Sequence, residues 1–182
     1  MPHNLLHSWP MTISGAMLLA SAIILLLAAG HDIVSRTVPN WMSGVIACCG
    51  AVAAITDGRL LISTAFGLVI FITCALFWRR GWMGGADVKL LGAIAIVLPP
   101  AVVATFVLAM SAAGAVHAII YMFAGKVVTP PPPAPAQRVA PRPLVWRALR
   151  AERWRISRRG PLPYACAIAF GFLFVICNGA AP

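Results

Sequence analysis

The sequence predicts an all-α fold, a polytopic integral membrane protein of about six transmembrane helices forming a single domain over residues 1–182. Three observations predict it. Of the 182 residues, 61% are hydrophobic and 10% charged, against about 45–50% apolar and 25% charged in soluble domains. The apolar residues gather in runs of the length that crosses about 30 Å of hydrocarbon. The basic residues fall between those runs, almost all on one side of the membrane under a six-span reading.

The first run covers about 11–30. The residues before it, Met1–Pro10, contain no Lys or Arg, so it reads as a retained span rather than a cleaved signal. A second span covers about 41–56, and Asp57-Gly58-Arg59 makes a tight turn into a third over about 60–78, closed by Arg79-Arg80. Val88–Ala124 is too long for one ordinary crossing. Pro99-Pro100 interrupts it, and a proline pair cannot continue helical hydrogen bonding, so spans over about 86–98 and 101–124 are expected. A basic, Pro-rich loop at 126–160 precedes a last span over about 162–180. Within that loop Thr129–Pro135 is a stiff polyproline segment. Leu144–Ile156 mixes Trp146, Leu149, Trp154 and Ile156 with arginines, the composition of a short helix lying on a membrane surface.

Charge fixes the count of spans. If Pro99-Pro100 is a hairpin, 13 of the 14 basic residues share one side and only Arg59 lies opposite. If Val88–Ala124 were one span, the division would be 10 against 4. The positive-inside rule selects six spans, with both chain ends outside the cytoplasm. The formal charge of +10 would point to nucleic acid in a soluble protein. Here it reads as topology and contact with anionic lipid, and no nucleic-acid partner is expected. Cys48, Cys49, Cys74, Cys166 and Cys177 fall inside apolar runs without a C-x-x-C spacing, so they read as small apolar residues and no metal site is expected.

Asp32, Asp57, Asp87 and Glu152 are the whole acidic inventory. Asp57 falls in the outer turn. Glu152 lies among arginines as an ion-pair partner, dispensable for chemistry. Asp32 follows the first apolar run and Asp87 precedes the fourth, so both sit at the cytoplasmic boundary, where an ionisable group is costly and usually functional. Topology alone leaves two readings open: an acid dyad sharing one proton and activating water, or two separate interfacial acids with Asp87 serving as a helix N-cap. In a dyad, Asp32 at a helix end and Asp87 at a helix start predict a proton held more often on Asp32.

Local sequence favours the dyad. Gly84-Gly85-Ala86 leaves room beside Asp87 for another backbone. Arg36 lies one helical turn beyond Asp32, and Pro39-Asn40 is expected to end that segment. At these residues the chain resembles the type IV prepilin peptidases. Asp32-x-x-x-Arg36-x-Val38-Pro39-Asn40 is similar to their first catalytic motif, and Gly84-Gly85-Ala86-Asp87-Val88-Lys89-Leu90-Leu91 to their G-x-G-D motif with its D-x-K-L continuation. Pro163-Tyr164 resembles the segment that opens their last helix. Ala86 stands where the pattern has its second glycine, and its methyl disfavours positive φ.

The resemblance runs from about Met11 to Phe174. The chain carries no paired C-x-x-C motifs of a methyltransferase region and so looks like the short form associated with Flp-type, tight-adherence pili. It implies an aspartic endopeptidase of the bacterial inner membrane that cleaves the leader from prepilins or pseudopilins at the cytoplasmic face. Asp32 and Asp87 would be catalytic, with Arg36, Pro39, Asn40, Gly84, Gly85, Ala86 and Lys89 supporting the site and no cofactor required. Lys89 would support Asp87 or snorkel to lipid phosphate, His31 would be inert or tune Asp32, and Tyr164 reads as an aromatic-belt residue. The competing reading is a membrane protein without enzymatic activity, a small transporter relaying protons through the two acids or a pilus-assembly scaffold.

Overall fold

A computed structural model describes residues 13–129, 131, 143–158 and 162–178. Most of the polyproline run, the middle of the long loop, residues 159–161 and both chain termini lie outside the described residues. Seven helices follow in order: α1 Ile13–Ser35, α2 Asn40–Thr56, α3 Leu60–Arg79, α4 Gly85–Val97, α5 Pro100–Val127, α6 Leu144–Ser157 and α7 Tyr164–Cys177. Among the described residues there is no strand.

The bundle is organised around its two shortest apolar helices. In α4 nearly every residue from Val88 to Leu98 is buried, and in α7 Ala165, Ile168, Phe172 and Val175 are fully enclosed. α2 and α3 both pack on α4, α1 joins α2 to α7, and α5 closes against α7. Small residues allow the closest approaches. A Cβ on Gly50 would lie 2.8 Å from the Val97 amide nitrogen, and one on Gly67 would lie 2.5 Å from Ile96 Cγ1. α1, α3 and α5 are long and apolar enough to cross a membrane, while α2 and α7 are shorter apolar helices. Large side chains such as Leu61 and Leu108 stand 88% and 71% exposed. A water-soluble monomer does not present apolar surface on this scale; here lipid is the natural solvent for it.

Pro99-Pro100 turns the chain from α4 into α5, with Pro99 as N-cap and Pro100 as the first residue of α5. That turn leaves the last carbonyls of α4 without helical partners. Arg59 supplies them. Its guanidinium donates to the carbonyls of Val97 at 2.9 Å, Ile96 at 3.3 Å and Leu98 at 3.4 Å, while Asp57 holds Nε at 3.0 Å and the Ser63 hydroxyl accepts at 2.8 Å. The one basic residue on the outer side of the sequence-derived map is therefore a helix cap, favoured by the partial negative charge of that helix end. Arg59→Met should cost roughly 3 kcal/mol of stability, because it orphans several acceptors at once. Arg59→Lys should recover only part of this, since an ammonium lacks the planar fork. Thermal unfolding in detergent measures both, and an unshifted midpoint for Arg59→Met would contradict the cap.

At the opposite, basic end, α6 lies against α5 and α1. Trp146, Leu149 and Trp154 are exposed on it, and Arg158 stacks on the Trp154 ring at 5.5 Å. The described cysteines are all free thiols.

Candidate active site

The site forms where α1 ends and α2, α4 and α7 begin. α1 continues past its apolar run to Ser35, so Asp32 occupies its final turns. The helix stops because Arg36 turns left-handed, with φ 56°, the one non-glycine at positive φ among the described residues. Its N–H still reaches the Asp32 carbonyl at 2.8 Å. His31 does not face the acids. Its Nδ1 meets the Ser35 hydroxyl at 2.8 Å and the Thr37 carbonyl, knitting this turn together. Pro39-Asn40 ends the loop that follows Arg36, as expected, and by the same step begins α2. Pro39 is the N-cap, with backbone angles of −58° and 137°, because the chain has already been broken at Arg36 and proline's fixed φ suits a helix start.

Asp87 sits in the first turn of α4, whose N-cap is Gly84. The carboxylate turns back toward the backbone of Gly84, the approach an acid makes in a capping box. Asp87 occupies the third helical position of α4 rather than the cap itself. A Cβ on Gly84 would lie 2.9 Å from Asp87 Oδ2, so a side chain there would push the carboxylate aside. Ala86, in the place of the second motif glycine, is ordinary helix, so its methyl meets no backbone penalty.

Asp32 gains an equivalent setting from another helix. The backbone amide of Ala165, in the first turn of α7, faces its carboxylate. Asp32, in the last turns of α1, is thus also near the amide-rich start of a helix, which offsets the asymmetry expected from Asp32 at a helix end and Asp87 at a helix start. The two acids line one cavity of about 410 Å³, and the charge of Asp32 acts on Asp87.

The same cavity is lined by Arg36, Asn40, Gly84, Gly85, Ala86 and Lys89. Of the residues expected to support the site, only Pro39 stays outside the lining. Lys89 neither bonds Asp87 nor stands alone. Its Nζ donates to Asn40 Oδ1 at 2.8 Å, tying the two sequence motifs together across 49 positions. Thr37, Leu162 and Tyr164 also face the cavity. Tyr164 is therefore a wall of the site rather than a belt residue, and the Pro163-Tyr164 pair opening a helix was its signal. Nothing in the sequence marks Thr37 or Leu162.

Arg36 reaches outward from the cavity to α6. Its Nη2 donates to Glu152 Oε1 at 2.6 Å, Tyr121 of α5 donates to the same oxygen, and Arg155 holds Oε2 at 3.0 Å while also donating to the Ile33 carbonyl. Burial pushes the Glu152 carboxyl upward, but the hydrogen bonds from Tyr121, Arg155 and Arg36 outweigh it and hold the group below the ordinary glutamate range. Glu152 is thus the joint between α6, α5 and the residue that follows the Asp32 helix.

Two carboxyls lining one partly enclosed cavity can act as a general base and a general acid on a shared water. Among the described residues no cluster of His, Cys, Asp and Glu could hold a metal ion. The model of the type IV leader peptidase family matches residues 19–119. No curated protein and no solved structure matches the chain. The matched stretch is more than half of the sequence and contains both acids with their flanking motifs, so the chain belongs to the type IV leader peptidase family and is by that membership a protease.

Proposed function

We propose that this chain is an intramembrane aspartic endopeptidase that removes the leader from Flp-type prepilins and pseudopilins at the cytoplasmic face of a bacterial inner membrane. The observation that carries the reading is the single cavity shared by Asp32 and Asp87, drawn from helices α1 and α4. One carboxylate takes a proton from water as it attacks the scissile carbonyl. The other, protonated, donates to the carbonyl oxygen and takes a proton back as the tetrahedral intermediate collapses, while the first passes the proton it took from water to the departing amine as the C–N bond breaks. The charge of Asp32 acts on Asp87, so ionisation of one opposes ionisation of the other and favours a single proton held by the pair. The carboxylates need no nucleophilic side chain and no cofactor for these steps.

The sidedness is supported by the charge division. Arg36, Arg79, Arg80 and Lys89 all flank helix ends at the cavity's end of the bundle, as does the basic helix α6. A precursor with one apolar helix would then lie in the bilayer with its leader in the cytoplasm, beside anionic headgroups that the same basic residues contact.

The test is co-expression of candidate single-span precursors with and without this chain. A mobility shift of leader length should appear only with it. A precursor set that stays uncut, with the chain present in the membrane, would refute the proposal.

A further inference from the structure

A second cavity, of about 390 Å³, opens on the flank of the bundle. α2 and α3 both pack on α4 but scarcely touch each other, so a groove runs between them with α4 as its floor. Gly44 and Ala47 form one wall, Gly67 and Phe71 the other, and Gly92 and Ala93 the floor. Its lining is almost wholly apolar and mostly small. Gly44 marks it as open space, since a Cβ there would meet nothing within 4 Å. This differs from Gly50 and Gly67, whose missing side chains are taken up by packing against α4.

The groove does not end blindly. Asn40 and Lys89, joined by their hydrogen bond, line both this groove and the cavity that holds Asp32 and Asp87. An apolar helix lying in the groove would leave it at the Asn40–Lys89 pair, and the chain beyond that point would pass directly to the two carboxyls. Small residues on three helices permit the close backbone approach by which helices associate in lipid, where van der Waals packing replaces the hydrophobic driving force.

We infer that the groove between α2 and α3 is the docking site for the apolar helix of the substrate, and that the Asn40–Lys89 pair marks where the substrate chain passes from helix to extended cleavage segment. The inference rests on the proposed peptidase function. It adds a route: the precursor enters sideways from lipid between α2 and α3, with no helix of the bundle displaced.

Two measurements test it on the full-length chain in lipid vesicles, with a precursor shown by the mobility assay to be cut. In the first, Gly44→Leu places a branched side chain in the groove from a position where the Cβ meets nothing within 4 Å. KM for the membrane-inserted precursor should rise about tenfold, the scale of a steric change in an apolar pocket. The value of kcat and the thermal midpoint should stay near wild type, and Leu108→Phe, on the exposed face of α5, should leave KM unchanged. In the second, a benzophenone-bearing residue replaces Gly44 or Leu108 in an Asp87→Asn background that retains uncut precursor. An adduct with the precursor's apolar segment should form from position 44 and not from position 108. Wild-type KM for Gly44→Leu, or equal adducts from both positions, or lipid adducts alone at position 44 would overturn the groove while leaving the peptidase reading intact. Failure of the unmodified chain to cut any precursor would instead overturn the peptidase reading.

Discussion

Asparagine at either Asp32 or Asp87 should abolish precursor cleavage, lowering the rate by on the order of 10⁴-fold or more, with the protein still in the membrane at normal abundance. The substitution is nearly isosteric, and the side-chain amide can still face the Ala165 backbone amide at position 32 or that of Gly84 at position 87. What is lost is the ability to carry the shared proton. Groups that act as one unit fail together, so the double variant should be no slower than either single one. Asp57→Ala serves as the contrast. Its carboxylate holds Arg59 at the other end of α4, so it should reduce thermal stability while cleavage per folded molecule persists. Cleavage is read by the mobility shift and folding by thermal unfolding in detergent. Wild-type cleavage by either asparagine variant would rule out a two-acid mechanism.

How much of this was legible depended on whether the partners were close in sequence or marked by scarcity. Asp32 and Asp87 stood out because a chain with 4 acidic residues leaves few candidates, and both flank apolar runs. The α4–α5 turn was legible because Pro99-Pro100 cannot be helix interior. Arg59 was not legible as a cap. In the sequence it is only the exception to a charge rule, and the carbonyls it serves lie 37 to 39 residues away. Asp32 looked like an acid at an unfavourable helix end because the helix start that meets it belongs to α7, and residue order carries no trace of that approach. Pro39 was legible as a boundary, but only the left-handed turn at Arg36 shows that the boundary closes a short loop and opens α2. Glu152 looked like one more surface partner for nearby arginines, because Tyr121 and Arg36 are 31 and 116 positions distant.

The bonds from Arg36 and Tyr121 change an expected result. Glu152 is the ion-pair partner of arginines that the sequence suggested, but where the sequence alone makes Glu152→Ala harmless, the links to α5 and Arg36 lead to an expected loss of cleavage. Arg36 is held in a left-handed conformation that costs a non-glycine residue about 1–3 kcal/mol and persists only where its surroundings impose it. The Glu152 carboxylate is the principal constraint, with both side chains of the pair only 15% exposed. Arg36 Nε and Nη1 already lack protein partners. Removing the carboxylate would leave a largely buried guanidinium without its counter-ion, a loss of about 3 kcal/mol or somewhat less for a pair with some solvent access. Arg36 would then relax, and the turn after Asp32 with it. Cleavage should fall by about 10- to 100-fold, since each 1.4 kcal/mol or so of lost positioning is tenfold in rate. Glu152→Gln keeps an acceptor for Arg36 and should retain more activity than Glu152→Ala. The pH dependence of stability distinguishes a charged joint from mere packing. Glu152 is held below its ordinary value of 4.5 in the folded protein, so its contribution is complete above that pH and disappears as the pH falls through the lower folded value. The wild-type thermal midpoint should therefore drop on acidification below the ordinary glutamate range by more than that of Glu152→Gln, which has no carboxyl there to protonate. A Glu152→Ala variant with wild-type cleavage and a wild-type acid profile would show that α6 merely rests beside the site without holding it.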